Sequence, residues 1–261
     1  LERADSAASQ DSRDDSEASE DGVLLLGLGD AHGALEPLFT VARREPQARA
    51  LLQVGDLTAG KAGRETGKDD DPSCLRDLPL PLVWIHGNHE HWELLGFHPE
   101  SGARDPAPGQ PSLLDSIPGT HLWPGDVYTV PGTGVRVAGL PGNFAPTWYG
   151  QPKPFPGDRV RHFNEAEVRA LEALPPPAVL LLHEAFRGQA PGRLGMMGVP
   201  ALAALVRRLR PAVCLTGHHH LFNATQHGPT LALALPLASA GYVRLRFSSA
   251  GELLGWELVE L

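Results

Sequence analysis

Several short apolar runs in this sequence end in residues able to bind metal or move protons. VLLLGLGDAH carries Asp30 and His32, and ALLQVGD carries Asp56. LPLVWIHGNHE carries Asn88 and His89, PAVLLLHE carries His183, and PAVCLTGHHH carries His218, His219 and His220. A row of three histidines fits a solvated loop, a pH sensor or a metal site, and the other motifs favour the metal. Asp, Asn and His supply oxygen and neutral nitrogen donors. That set suits Mn, Fe or Zn better than Mg or Ca, which prefer all-oxygen shells. The donors outnumber those of one site and include two carboxylates, as expected for two metals sharing a bridging carboxylate. Such pairs hold ions ~3.5–4 Å apart, clamp the oxygens of an in-line phosphoryl displacement and make hydroxide available near neutral pH.

Elements must bring these residues together. Each run reads as a buried strand, and several are followed by a helix or loop. In α/β sheets the carboxyl ends of the strands gather at one edge, where ligands bind. ALEPLFTVARRE has helical apolar spacing at Leu35, Leu38, Phe39 and Ala42. VPALAALVRRLRP places Val199, Leu202, Leu205, Val206 and Leu209 on one face and is stopped by Pro211. VYTVPGTGVRVAGLPGNF predicts a hairpin, and a helix capped by Asn164 follows. Beyond Thr230, TLALALPLA, GYVRLRFSS and ELLGWELVEL predict antiparallel sheet. Ala59–Pro72, Gly96–Gly119 and Gly142–Asp158 are the long loops. Residues 1–22 are acidic, Ser-rich and almost free of large apolar groups, so a disordered tail is expected, with one folded domain over 23–261.

The bulk properties narrow the function. The chain has 261 residues, 42% of them hydrophobic, enough for a substantial core. A net charge of -9 argues against general duplex-DNA binding. It leaves room for a small phosphorylated substrate, because bound cations reverse the local field. Cys74 and Cys214 give no disulfide framework. No apolar run has the length of a membrane span, and no basic segment with an apolar stretch opens the sequence, so a cytoplasmic location is expected.

The ordered set GDAHG, GDL, GNHE, HE and GHHH resembles the calcineurin-like metallophosphoesterase superfamily over Gly29 to His220. The resemblance implies a four-layer α/β/β/α sandwich of two mixed sheets flanked by helices. It implies that Asp30, His32, Asp56 and His220 hold one metal, and that Asp56, Asn88, His183 and His218 hold the other, with Asp56 as the bridge. It implies a metal-bridging hydroxide as nucleophile, Asn88 on the phosphoryl oxygens, and His89 as proton donor or charge stabiliser at the leaving group. In extended backbone His218 and His220 lean to one side and His219 to the other, which leaves His219 a bystander.

The expected activity is hydrolysis of a phosphodiester or nucleotide by two divalent ions, with Mn the most effective in vitro. The partners expected are a phosphorylated small molecule, a nucleotide or single-stranded nucleic acid as substrate, and no membrane. The alternatives are a phosphomonoesterase, including a Ser/Thr protein phosphatase, and a non-catalytic scaffold of the same fold. The layout of the middle of the chain is similar to the RNA lariat debranching branch. Asp30 stands where the eukaryotic debranching enzymes typically carry Cys, and their long carboxyl-terminal extension is absent, which argues against debranching itself. Glu90 is expected to support its loop, Glu184 to lie at the surface or behind the ligands, and Trp92 to pack. His86, His98, His121, His162 and His227 are read as structural or solvated. Arg187, Lys153, Arg159 and Arg161 could meet phosphate or water. Trp148 and Tyr149 could stack on a base or pack their loop onto the domain, and packing is favoured.

Overall fold

The computed structural model describes residues 22–60, 71–92, 113–189, 191–192, 195–196 and 198–261. The expected acidic tail, save Gly22, lies outside these residues, as do His98 and most of the loops Ala59–Pro72 and Gly96–Gly119.

The first sheet contains β1 (Val23–Leu28), β2 (Ala50–Gln53), β3 (Leu82–Trp84) and β4 (Gly119–His121), joined by β13 (Gly241–Phe247) and β14 (Leu253–Glu260) from the end of the chain. Its order is β14-β13-β1-β2-β3-β4. The second contains β5 (Val127–Thr129), β6 (Arg136–Leu140), β7 (Val179–Leu182), β10 (Val213–Thr216), β11 (Asn223–His227) and β12 (Thr230–Ala234), in the order β11-β12-β10-β7-β6-β5. A two-residue pair, β8 (Pro191–Gly192) with β9 (Gly195–Met196), lies apart. β1, β2, β3 and β4 pair in parallel, as do β6, β7, β10 and β12. The outer pairs, β1 with β13, β13 with β14, β5 with β6 and β11 with β12, are antiparallel. Both sheets are therefore mixed.

Alternation along the strands builds three cores. Leu25, Leu52, Val54 and Val83 of the first sheet meet Val179, Leu181, Val213 and Leu215 of the second. On the outer face of the first sheet, Leu24, Leu26 and Leu51 pack on α1 (Glu36–Arg44) through Leu38, Val41 and Ala42. On the outer face of the second, Ala138, Leu180 and Cys214 pack on α3 (Glu165–Glu172) and α4 (Pro200–Leu209). The layers run α/β/β/α, as the resemblance implies. The short helix α2 (Pro146–Tyr149) belongs to the loop after β6.

Local chemistry explains the helix limits. Asn164 caps α3 in a full capping box with Glu167, satisfying otherwise unpaired amides of the first turn. In α4 the buried face is Leu202, Ala203, Leu205, Val206 and Leu209, and the chain leaves through left-handed Arg210 before Pro211. α1 buries Val41, which the apolar spacing did not select, while Phe39 is only partly buried. One expectation is corrected. The segments after Thr230 do not form one antiparallel sheet: β12 lies parallel to β10 in the second sheet, and β13 crosses to the first. Period-two alternation selects a face, and it carries no information about which sheet receives the strand.

Candidate metal centre

The ends of β1, β2 and β3 face the ends of β7 and β10 across the sandwich. Two groups of side chains converge there: Asp30, His32 and His220, and Asp56, His183 and His218, each with candidate donor atoms within 4.8 Å of one another. In the first, His220 Nε2 lies 3.0 Å from Asp30 Oδ2 and 2.9 Å from His32 Nε2. In the second, His183 Nε2 lies 3.5 Å from Asp56 Oδ1 and 2.9 Å from Asn88 Oδ1. Asp56 touches both groups, since its Oδ2 is 3.7 Å from His32 Nε2. The structure thus brings Asp30, His32, Asp56, Asn88, His183, His218 and His220 to one place. His89 stands at the exposed mouth, its ring centroid 5.6 Å from that of His32 and its backbone N–H donating to Asp56 Oδ1 at 2.8 Å.

The backbone is bent hard to aim these groups. His32, Asp56, His218 and His220 have φ of 47°, 52°, 68° and 56°. The premise of extended backbone for the triple histidine is therefore incorrect. Left-handed turns at His218 and His220 direct the two rings into different groups. His219 Nε2 lies 3.7 Å from Glu184 Oε1, and Glu184 also accepts from the N–H of Ala185 at 3.1 Å and of Phe144 at 3.4 Å. Glu184 therefore sits behind the site as a tie between His219 and the loop after β6. Gly87 is required for a related reason: a Cβ there would collide with the Asp56 carboxylate and backbone N–H.

The donor chemistry suits divalent cations. His183 Nδ1 lies 2.9 Å from the Val54 carbonyl, an acceptor, so that nitrogen carries the ring proton. Nε2 then turns a lone pair toward Asn88 Oδ1 and Asp56 Oδ1. Three acceptors converge, an arrangement that a cation satisfies. The site draws positive charge in other ways. Burial opposes protonation of His183, but Asp56, Asp30 and the Val54 carbonyl outweigh it and raise its pKa. Burial also pushes Asp30 upward, yet the hydrogen bond from His220, the charge of His183 and the His218 N–H hold its carboxyl below the usual range. Asp30 and Asp56 are each 1% exposed, so their charges need compensation from bound cations or nearby imidazoles.

Glu90 supports the loops from behind. It accepts from the N–H of Leu57 at 2.9 Å, of Thr58 at 3.0 Å and of Gly87 at 3.2 Å, tying the loop of Asp56 to that of Asn88. Burial, with Asp56 adding to it, pushes its pKa up to about 7. Thr58, which the motifs did not single out, donates its hydroxyl to Glu90 and accepts from the His91 N–H at 2.6 Å.

The remaining residues fall mostly on the structural side. Trp92 packs edge-on against His86, which is buried and stacked on His121. His162 bonds Asn143, and His227 packs against Phe186. Trp148 packs on Phe155, and Tyr149 on Phe144 and Phe163. Lys153 pairs with Glu167 at 2.7 Å, and Asp158 sits 3.8 Å from Arg159 and 3.6 Å from Arg161. Arg187 is exposed. No helix among the described residues is long and apolar enough to cross a membrane.

A paired cluster of Asp and His, with Asn88 beside it, lies at the facing edges of two mixed sheets and has the make-up of a metal-binding site. The family model for calcineurin-like phosphoesterases matches residues 24–222, and the chain belongs to that family. The 3',5'-cyclic adenosine monophosphate phosphodiesterase CpdA of Pseudomonas aeruginosa is 33% identical over 79 residues, 29% of this chain and 27% of that protein. The crystal structure of TT1561 of Thermus thermophilus is similar with a TM-score of 0.61 at 18% identity, covering 92% of this chain and 99% of that one. A dimetal phosphatase from Danio rerio gives 0.55 at 12% identity, covering 89% and 98%. At these identities the two structures share the fold.

Proposed function

We propose that residues 23–261 form one domain that hydrolyses a phosphodiester or nucleotide with two divalent metal ions. The observation that carries this reading is the pair of Asp–His–His groups meeting at Asp56. Asp30, His32 and His220 hold one ion, Asn88, His183 and His218 the other, and Asp56 is shared. Bound there, Mn, Fe or Zn supplies Lewis acidity and a water-derived nucleophile near neutral pH.

The chain's own groups do the rest. Asp30 and Asp56 are buried and fixed by the backbone N–H groups of His218 and His89, so the donors need little reorganisation on binding. Asn88, half-buried beside His183, orients a phosphoryl oxygen. His89 is exposed, and among the described residues its hydrogen bonds are made by its backbone, the N–H to Asp56 and the carbonyl from Thr58, which leaves its ring able to reach the leaving oxygen and deliver a proton. A diester or nucleotide is favoured over a phosphoprotein by the stretch of identity to a cyclic-nucleotide phosphodiesterase.

The test compares an aryl phosphodiester with the matching monoester, using purified protein with added Mn²⁺ and His89→Ala alongside. Diester cleavage should dominate, and His89→Ala should lower turnover about 10²–10⁴-fold while keeping the wild-type metal content. Monoester preference would make the chain a phosphatase. Bound metal with no turnover of either would favour the scaffold reading.

A further inference from the structure

β2 is buried along its whole length, yet its last residue is an amide. Gln53 is 0% exposed, and its ladder neighbours are Leu28 and Trp84, both in the core under α1. An apolar side chain would be ordinary there. The amide is instead fully used. Its Oε1 accepts from the Gly55 N–H at 3.0 Å, and its Nε2 donates to the Gly55 carbonyl at 2.5 Å and, more weakly, to the Gly29 carbonyl at 3.4 Å.

The turn explains the need. Gly55 has φ of 108° and Asp56 follows in the left-handed region, so the chain leaves the sheet abruptly. Among the described residues, both backbone polar groups of Gly55 are bonded by Gln53 alone. Buried polar groups left without partners are costly. No side chain can replace the turn, since a Cβ on Gly55 would stand 2.5 Å from His183 Nδ1 and 2.8 Å from the Gly87 backbone. Gly29 and Gly55 directly precede the two carboxylates of the site. One amide therefore ties the glycine before Asp30 to the glycine before Asp56.

We infer that Gln53 is a positioning residue that sets the separation of Asp30 and Asp56, and through it the affinity of the chain for its metal pair. The inference rests on the two-metal reading above. Its role is to orient and it contacts no substrate.

Calorimetric titration of Mn²⁺ into metal-stripped wild type, Gln53→Met and Gln53→Asn tests it, with near-UV circular dichroism and melting recorded for each. Met fills the volume without the hydrogen bonds, and Asn keeps an amide that is one methylene too short to span both glycines. Both variants should fold and bind Mn²⁺ about 10-fold or more weakly than wild type, the range seen when groups behind metal ligands are removed. A folded variant with wild-type affinity, even one that melts earlier, would overturn the assignment and reduce Gln53 to a stability residue. Failure of both variants to fold would overturn it equally. A wild-type chain that takes up no Mn²⁺ would overturn the two-metal reading first, and this inference with it.

Discussion

The donors depend on backbone conformations that their own side chains disfavour. Four residues of the site, His32, Asp56, His218 and His220, lie at positive φ. For non-glycine residues such placements cost about 1–3 kcal/mol each and persist where the surroundings over-determine them. Here the Asp56 carbonyl accepts from Ala31 and His32 at 3.0 and 2.8 Å, and Asp30 accepts from the His218 N–H at 3.0 Å. Strain is thus held by bonds between the loops that carry the donors. Asp56 is the residue on which both groups converge. Asp56→Ala should lower bound metal from two equivalents toward none, read by elemental analysis after dialysis. Retention of one full equivalent at normal affinity would show that Asp56 is not shared.

At the scale of elements, the loop after β6 is held down by an isolated bridge between Asn143 and His162 and by side-chain bonds around it. Asn143 Oδ1 lies 2.7 Å from His162 Nδ1, Phe144 donates its N–H to Glu184, and Lys153 pairs with Glu167 of α3. Burial pulls the His162 pKa below the ordinary histidine value; Arg161 and Arg159 act in the same direction, and the Asn143 backbone and Asp158 oppose them. In the unfolded chain this histidine takes up a proton near pH ~6.5, and in the folded chain only at lower pH. The stability tied to neutral His162 is therefore complete above about pH 6.5 and is lost as pH falls toward the folded value. In metal-free protein the melting temperature should drop between about pH 7.5 and about pH 5.5. His162→Gln should make that drop shallower. An identical pH slope in the variant would remove His162 from the account.

At the scale of the molecule, the candidate metal ligands are drawn from both sheets. Asp30, His32, Asp56 and Asn88 follow strands of the first, while His183, His218 and His220 follow strands of the second. Metal binding is then linked to the packing of the whole sandwich. An ion present at about a hundredfold excess over its dissociation constant stabilises the folded state by about 2.7 kcal/mol. For a chain of this size that corresponds to roughly 5–10 °C in melting temperature. Chelation should lower the melting point by that amount and Mn²⁺ should restore it. A melting point indifferent to chelator would mean that the ions, where they bind, do not hold the sheets together.

The donor types, their order and their place at strand ends are legible in the sequence, because apolar runs and turn glycines are local signals that need no partner. So are the capping of α3 and the buried face of α4, since helix periodicity and capping boxes are written within a few residues. The resemblance implies that His220 and His218 serve different metals, but the turns that separate their rings exist only in the folded chain. His218 and His220 join different groups because each sits at a left-handed turn held by contacts from distant strands. Folding likewise spends Lys153 on Glu167 and packs Trp148 and Tyr149 within their own region. It also makes Gln53, an isolated amide in an apolar strand, span two turns. Such pairings depend on which strands lie side by side and which sheets face each other, and that order is set by the packing of the whole chain.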